Sequence, residues 1–231
     1  MARHLEQRAD YIRTFAAQVS HEFKTPLAAI RGAVELLQDH GDTMTPAERE
    51  RFLSLLDQDA ARLDRLVRRL LELARADVMQ ASASDRAEVD TVVRRLATRY
   101  QESGLRVTVL EPLPSASVAM AEDVLESILS NLLDNARQHG GDAVTVAVTG
   151  PGSGSLLIEV SDNGPGISAA NAARVFEPFF TTARSQGGTG LGLAVVRSLL
   201  AAHWGDIRLA EAPVGTRLQI RLPVGIAARS P

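Results

Sequence analysis

One histidine has neighbours that could make it a nucleophile. In Ser20-His21-Glu22-Phe23-Lys24-Thr25-Pro26-Leu27 an imidazole is flanked by a carboxylate, an ammonium and, four residues on, a hydroxyl. Apolar residues around it recur at helical spacing: Leu5, Ile12, Phe15, Ala16, Val19, Phe23, Leu27, Ile30, Val34 and Leu37. At about 100° per residue these fall in one sector of a helix, and His21 projects roughly opposite its centre, with Thr25 on the same outer face. A lone helical histidine is most often a surface or core residue of no consequence, but this one is excluded from the stripe. A neutral imidazole with a pKa of ~6.5 is a competent nucleophile at physiological pH, and a carboxylate such as Glu22 can fix its tautomer by accepting the other N–H. Pro26 removes a backbone bond beside it, so a bend that could act as a hinge is expected there.

Such a nucleophile needs a donor, and the second half of the chain contains four glycine- and asparagine-rich segments in order. Asn131 and Asn135 are four apart in Asn131-Leu-Leu-Asp-Asn135-Ala-Arg-Gln-His139-Gly, hence on one helical face. Neutral oxygens there suit a hard cation such as Mg2+ whose remaining ligands are phosphates. In Asp162-Asn-Gly164-Pro-Gly166-Ile167 a carboxylate ends a strand and enters a turn whose missing side chains would let a flat ring approach. Phe176-Glu-Pro-Phe179-Phe180-Thr-Thr182 gathers three of the six phenylalanines into one loop. In Gly187-Gly188-Thr189-Gly190-Leu191-Gly192-Leu193 the glycines open a helix, whose N–H groups and dipole suit a triphosphate. Each segment alone could be a cap, a turn or a core strand. The polar stretch 181–186 is no buried strand, which excludes a dinucleotide fold, and neither a P-loop nor an ordinary Ser/Thr/Tyr kinase signature is present.

The elements that must position these residues fall into two parts. The first helix breaks near 39–43, and Thr45-Pro46-Ala47-Glu48 supplies the cap, first-turn proline and returning glutamate of a second helix running to about Ala76. The pair predicts an antiparallel hairpin, and two single-striped helices bury too little alone, so a homodimeric four-helix bundle is expected. A polar linker at 81–85 separates residues 1–80 from 86–225. In the latter the periodicities predict a helix at 87–103, a strand at 105–110, a helix at 118–139 and strands at 143–148 and 155–161. A loose segment at 162–188, read as a lid, precedes a helix at 190–202 and strands at 207–210 and 216–222. That order predicts an α+β sandwich with helices layered on a mixed sheet. With no cysteine, any metal rests on oxygen or imidazole, and a net charge of -3 without a basic block argues against a nucleic-acid partner.

Taken together, the five segments resemble the phosphoacceptor, N, G1, F and G2 boxes of two-component sensor histidine kinases, in that family's order and over nearly the whole chain. The second half is also similar to the wider ATPase superfamily of gyrase, mismatch-repair proteins and heat-shock chaperones, which lack the histidine-bearing hairpin. The resemblance implies an ATP-dependent protein histidine kinase. His21 would take the γ-phosphoryl group, Glu22 would be its base or orienter, and Thr25 would position water in a phosphatase reaction. Asn135, with Asn131, would hold Mg2+. ATP would be bound by those asparagines with His139, Asp162, Gly164, Gly166, Ile167, Thr182, Gly188, Thr189, Gly190, Leu191, Gly192, Leu193 and Thr216, Asp162 reading the adenine amino group. Gly215-Thr216 is similar to the late strand motif that supports Asp162. Gln138 and Ala183 depart from the family, which often has basic residues there. The implied partner is the receiver domain of a response regulator. An upstream sensor or transmembrane segment is expected, which would make this chain the cytoplasmic portion of an inner-membrane protein. The alternative is a catalytically inactive ATP-binding dimerisation module.

Overall fold

The computed structural model describes residues 2–76, 85–152, 154–184 and 187–224. Its contacts divide the chain between Leu70 and Leu71 into two units, and most of the expected linker at 81–85 lies outside the described residues. The first unit is built from α1 (Ala2–His40) and the greater part of α2 (Pro46–Ala76). The helices reverse direction at 41–45, where the expected cap forms: the Thr45 N–H donates to Glu48 Oε2 at 2.9 Å and the Glu48 N–H to Thr45 Oγ1 at 3.3 Å. Helix α1 is continuous from Ala2 to His40 with Pro26 inside it, so the proline expected to bend the helix beside His21 does not end it. The Thr25 hydroxyl donates to the His21 carbonyl at 3.3 Å one turn before the proline.

Burial separates the apolar residues of the hairpin into two sets. Phe15, Val19, Phe23, Ile30 and Leu37 are half-buried, whereas Ile12, Leu27, Val34, Leu55, Val67 and Leu71 remain exposed. The side chain of Leu5 lies outside the described residues. A helix that covers one apolar strip and leaves another in water has the pattern of a bundle component.

The second unit opens with β1 (Ala87–Glu88) and α3 (Val89–Glu102), followed by β2 (Arg106–Val109), β3 (Ser117–Val118) and α4 (Glu122–Gln138). Next come β4 (Ala143–Gly152), β5 (Ser155–Asp162), α5 (Ala169–Ala172), α6 (Gly192–Ala202), β6 (Asp206–Ala210) and β7 (Arg217–Pro223). Five strands form one sheet in the order β2-β4-β5-β7-β6, parallel between β2 and β4 and antiparallel elsewhere, while β1 and β3 pair as a separate ribbon. This is the expected mixed sheet, with the ribbon as an addition: Val118, placed above at the start of a helix, belongs with Ser117 to β3, and the helix itself starts at Glu122.

Alternation in β5 and β7 places Leu156, Ile158, Val160, Leu218, Ile220 and Leu222 on one face, all buried. The helices supply Leu96, Leu125, Ile128, Leu132 and Leu200 to the same core. The opposite face is polar, with Gln219 donating to Glu159 at 2.8 Å across β5 and β7. Register therefore follows from the pattern, since a one-residue slip would turn the apolar set to water. A ladder of Arg95 to Glu122 and Glu126, and of Arg99 to Glu126 and Ser130, joins the outer surfaces of α3 and α4. Replacing Leu156, fully enclosed in this core, with alanine is expected to cost about 2–5 kcal/mol, read as a lower urea midpoint for this unit.

Candidate functional site

The end of β5 is fixed from three directions. The Asp162 N–H donates to the Thr216 carbonyl at 2.9 Å, and the Thr216 N–H returns to Asp162 Oδ1 at 3.0 Å. The same Oδ1 accepts the Gly164 N–H at 2.9 Å. The turn before β7 presses so closely on this strand that a Cβ at Gly215, where φ is +70°, would stand 1.8 Å from the Asp162 carbonyl oxygen. Only glycine fits there. With Oδ1 holding two backbone donors, Oδ2 accepts no hydrogen bond among the described residues and keeps its acceptor capacity.

Around this carboxylate the other segments converge. Asn163, which sequence reasoning passed over, accepts the Asp142 and Ala143 N–H groups at 3.1 Å each and so fastens the loop after α4 to the loop after β5. Gly141 is a second omission: its Cα faces Asp162, and an added Cβ would lie 3.3 Å from that residue's Cβ. A signal for both was present, since Asx and glycine residues at the two strand ends mark turns. Gly164 lies under the His139 carbonyl and Gly166 against Gly215. The His139 Nδ1 is 3.4 Å from the Thr182 hydroxyl, which links α4 to the glycine-rich segment.

The segment 162–188, expected to be structureless, contains the short helix α5 and buries Val175, Phe179 and Ala183. Phe179 has φ 65°, in the left-handed region, and Gly190 packs on its backbone, where a Cβ would stand 2.4 Å from the Phe179 carbonyl carbon. The loop is thus anchored by apolar burial. Arg174 lies over the Phe180 ring at 4.6 Å.

Of the predicted phosphate-binding residues, Thr189, Leu191 and Leu193 have their side chains buried, so only their backbones are available to a ligand. The Leu191 side chain makes no cap hydrogen bond at the start of α6, a position that suits an anion. Gly192 begins that helix, and Ile167 is half-buried in the loop after Asp162. Asn131 is buried and donates its amide to the Ser127 carbonyl at 2.9 Å, which orients its side-chain oxygen as the remaining acceptor, while Asn135 is half-buried one turn on. Among the described residues no cluster of three or more His, Asp or Glu could hold a metal ion. These neutral oxygens fit a cation that arrives with phosphates and could not by themselves neutralise a bare one.

His21, Glu22 and Thr25 belong to the hairpin unit. His21 and Thr25 are exposed as expected, but Glu22 is buried and its Oε2 is 3.1 Å from Nη2 of Arg62 on α2. Arg62 was not foreseen as part of this group. Its sequence signal is a basic residue four positions before Leu66, on the buried side of α2.

Burial holds the His139 imidazole below its ordinary pKa of 6.5, with the Asp162 charge opposing the shift in part. A depressed folded-state pKa means that the unfolded chain binds the proton first. The corresponding stability is complete above the ordinary value and is lost as pH falls below it. The His139 ring is expected to titrate below 6.5 by NMR. The stability difference between the wild-type protein and His139→Gln should shift in favour of the variant as pH is lowered through that range.

Two family profiles match the chain, one to each part. Residues 11–78 match the His Kinase A (phospho-acceptor) domain, and residues 120–226 match the histidine kinase-, DNA gyrase B-, and HSP90-like ATPase. The probable sensor histidine kinase TcrY of Mycobacterium tuberculosis is 36% identical over 222 residues, which cover 92% of this chain and 46% of that protein. The chain thus spans about half the length of the curated relatives it matches. Among solved structures, full-length ShkA in complex with AMPPNP aligns with a TM-score of 0.58 and 28% identity, covering 92% of this chain and 46% of that one. Histidine kinase ThkA in complex with the response regulator protein TrrA aligns at 0.74 and 19% identity, covering 94% and 63%, a likeness of fold. With a helical phosphoacceptor hairpin followed by an ATPase sheet, the chain belongs to the sensor histidine kinases and carries the two domains of their kinase core.

Proposed function

We propose that this chain is the ATP-dependent autokinase core of a membrane sensor, transferring the γ-phosphoryl group of ATP to His21 and then to an aspartate of a response regulator. The observation that carries the reading is the Asp162 carboxylate, with one oxygen saturated by backbone donors and the other left beside a glycine-lined turn. A carboxylate fixed in this way suits an exocyclic amino group, as on adenine. Further support comes from the ShkA relative, whose solved structure holds AMPPNP.

Bound Mg2+, with Asn135 and Asn131 as its protein ligands, would neutralise charge on the phosphates. The residues of this chain do the rest by positioning. The first N–H groups of α6 face the polyphosphate, and the anchored loop from Phe176 to Thr182 covers it. His21 attacks with the lone pair of Nε2, and the bond from the γ-phosphorus to the bridging oxygen breaks as ADP leaves. The proton on Nδ1 passes to Glu22. Thr25, one turn from His21, would orient water when a phosphorylated regulator is hydrolysed. The exposed apolar strip of Ile12, Leu27, Val34, Val67 and Leu71 supports a homodimer, with two hairpins closing a four-helix bundle. Residues 1–80 would be the phosphoacceptor domain and 86–225 the ATP-binding domain. Among the described residues no helix is long and apolar enough to cross a membrane. Nothing in the comparisons favours the inactive binding module.

Incubation with labelled ATP and Mg2+ is expected to give an acid-labile, base-stable phosphoprotein, and His21→Gln should abolish the label. Persistent labelling of that variant would sink the assignment. Asp162→Asn replaces an acceptor with a donor at the base-reading oxygen. It should weaken ATP at least about tenfold while penalising GTP less, because the guanine O6 is itself an acceptor; calorimetry with both nucleotides checks this.

A further inference from the structure

Glu22 and Arg62 stand twenty residues on either side of Asp42, which lies in the reversal of the hairpin, and so they meet across the two antiparallel helices. Their side chains are 5% and 17% exposed, and the guanidinium Nη2 reaches Glu22 Oε2 at 3.1 Å. His21, the next residue along α1, is exposed. Adjacent residues on a helix project about 100° apart, so the seam that receives the carboxylate and the solvent that surrounds the imidazole lie in different directions. The guanidinium and the imidazole therefore compete for one carboxylate, and in this conformation Arg62 holds it. An ion pair removed from water persists only while both partners stay in place, since loss of one leaves the other buried and uncompensated. Without Arg62, Glu22 has reason to turn outward, toward His21.

We propose that Arg62 is a positioning residue that withholds Glu22 from His21, and that autophosphorylation requires the pair to part, as a displacement of α2 relative to α1 would make it. The inference rests on the autokinase reading above and adds the element that regulates it. Once parted from Arg62, Glu22 accepts the Nδ1 proton while Nε2 forms its bond to the γ-phosphorus, and the electron pair of the broken phosphorus–oxygen bond leaves with ADP. Transmission along the helices then needs no new residue at the nucleotide. It needs only a shift large enough to separate two side chains in the seam.

The test compares initial rates of His21 labelling by saturating Mg2+ and ATP in the wild-type chain, Arg62→Met, Arg62→Lys, Glu22→Gln and the Arg62→Met/Glu22→Gln double variant. Arg62→Met is expected to raise the maximal rate roughly three- to tenfold with KM for ATP unchanged, and Arg62→Lys to stay near the wild-type rate. In the Glu22→Gln background the methionine substitution should have no further effect, because its action passes through that carboxylate. An unchanged or slower rate in folded Arg62→Met, or the same rise without Glu22, overturns the proposal. Circular dichroism reports folding; should Arg62→Met not fold, Arg62→Gln takes its place, and failure of both makes the pair structural and the proposal wrong. Absence of label on the wild-type chain would instead remove the autokinase reading and this inference with it.

Discussion

The nucleotide-facing half of the molecule depends on one close approach, in which the turn carrying Gly215 lies directly on the end of β5. The reciprocal bonds between Asp162 and Thr216 form only because no side chain separates the two backbones. That approach fixes the Asp162 carboxylate with no ion pair among the described residues, through two backbone donors to one oxygen. Glycines 164 and 166 lie on the same junction, so the loop that would flank a base inherits its shape from a single backbone contact. The sheet is what holds the two chain segments in place: β5 and β7 are paired from Ser155 with Pro223 to Ser161 with Arg217, and the site begins where that ladder stops.

The glycine-rich segment beyond it is restrained by a different force. Phe179 is buried and left-handed, Ala183 is buried beside it, and Gly190 closes on the Phe179 backbone. Apolar burial anchors one end while the start of α6 anchors the other. Between them Thr182 reaches His139, which places a neutral imidazole and a hydroxyl at the boundary between a fixed helix and a loop.

In the hairpin the balance is reversed. Its two helices cover one apolar strip and expose another, so its architecture is incomplete in a single copy. The histidine faces water, while the carboxylate beside it is turned into the seam. A charged pair in that seam adds little to stability, but it gives the helix pair a preferred register that can be exchanged for another.

Much of this was legible without coordinates. The period of 3.6 in the first part, the Thr45–Glu48 cap and the alternation in β5 and β7 act between near neighbours, and each appeared where its residues predicted. The motif order alone was enough to resemble the kinase family, and the side of α1 that His21 occupies followed from its phase against the stripe. Tertiary structure decided the rest. It decided that Val175, Phe179 and Ala183 of the loose segment are buried, that Ser117 and Val118 pair as a strand, that Glu22 faces Arg62, and that Asp162 is held by Thr216. The last two contacts join residues 40 and 54 positions apart. Side chains at such separations leave no periodic trace in the chain; they meet only because the hairpin reversal and the sheet pairing, each locally encoded, carry them to the same place.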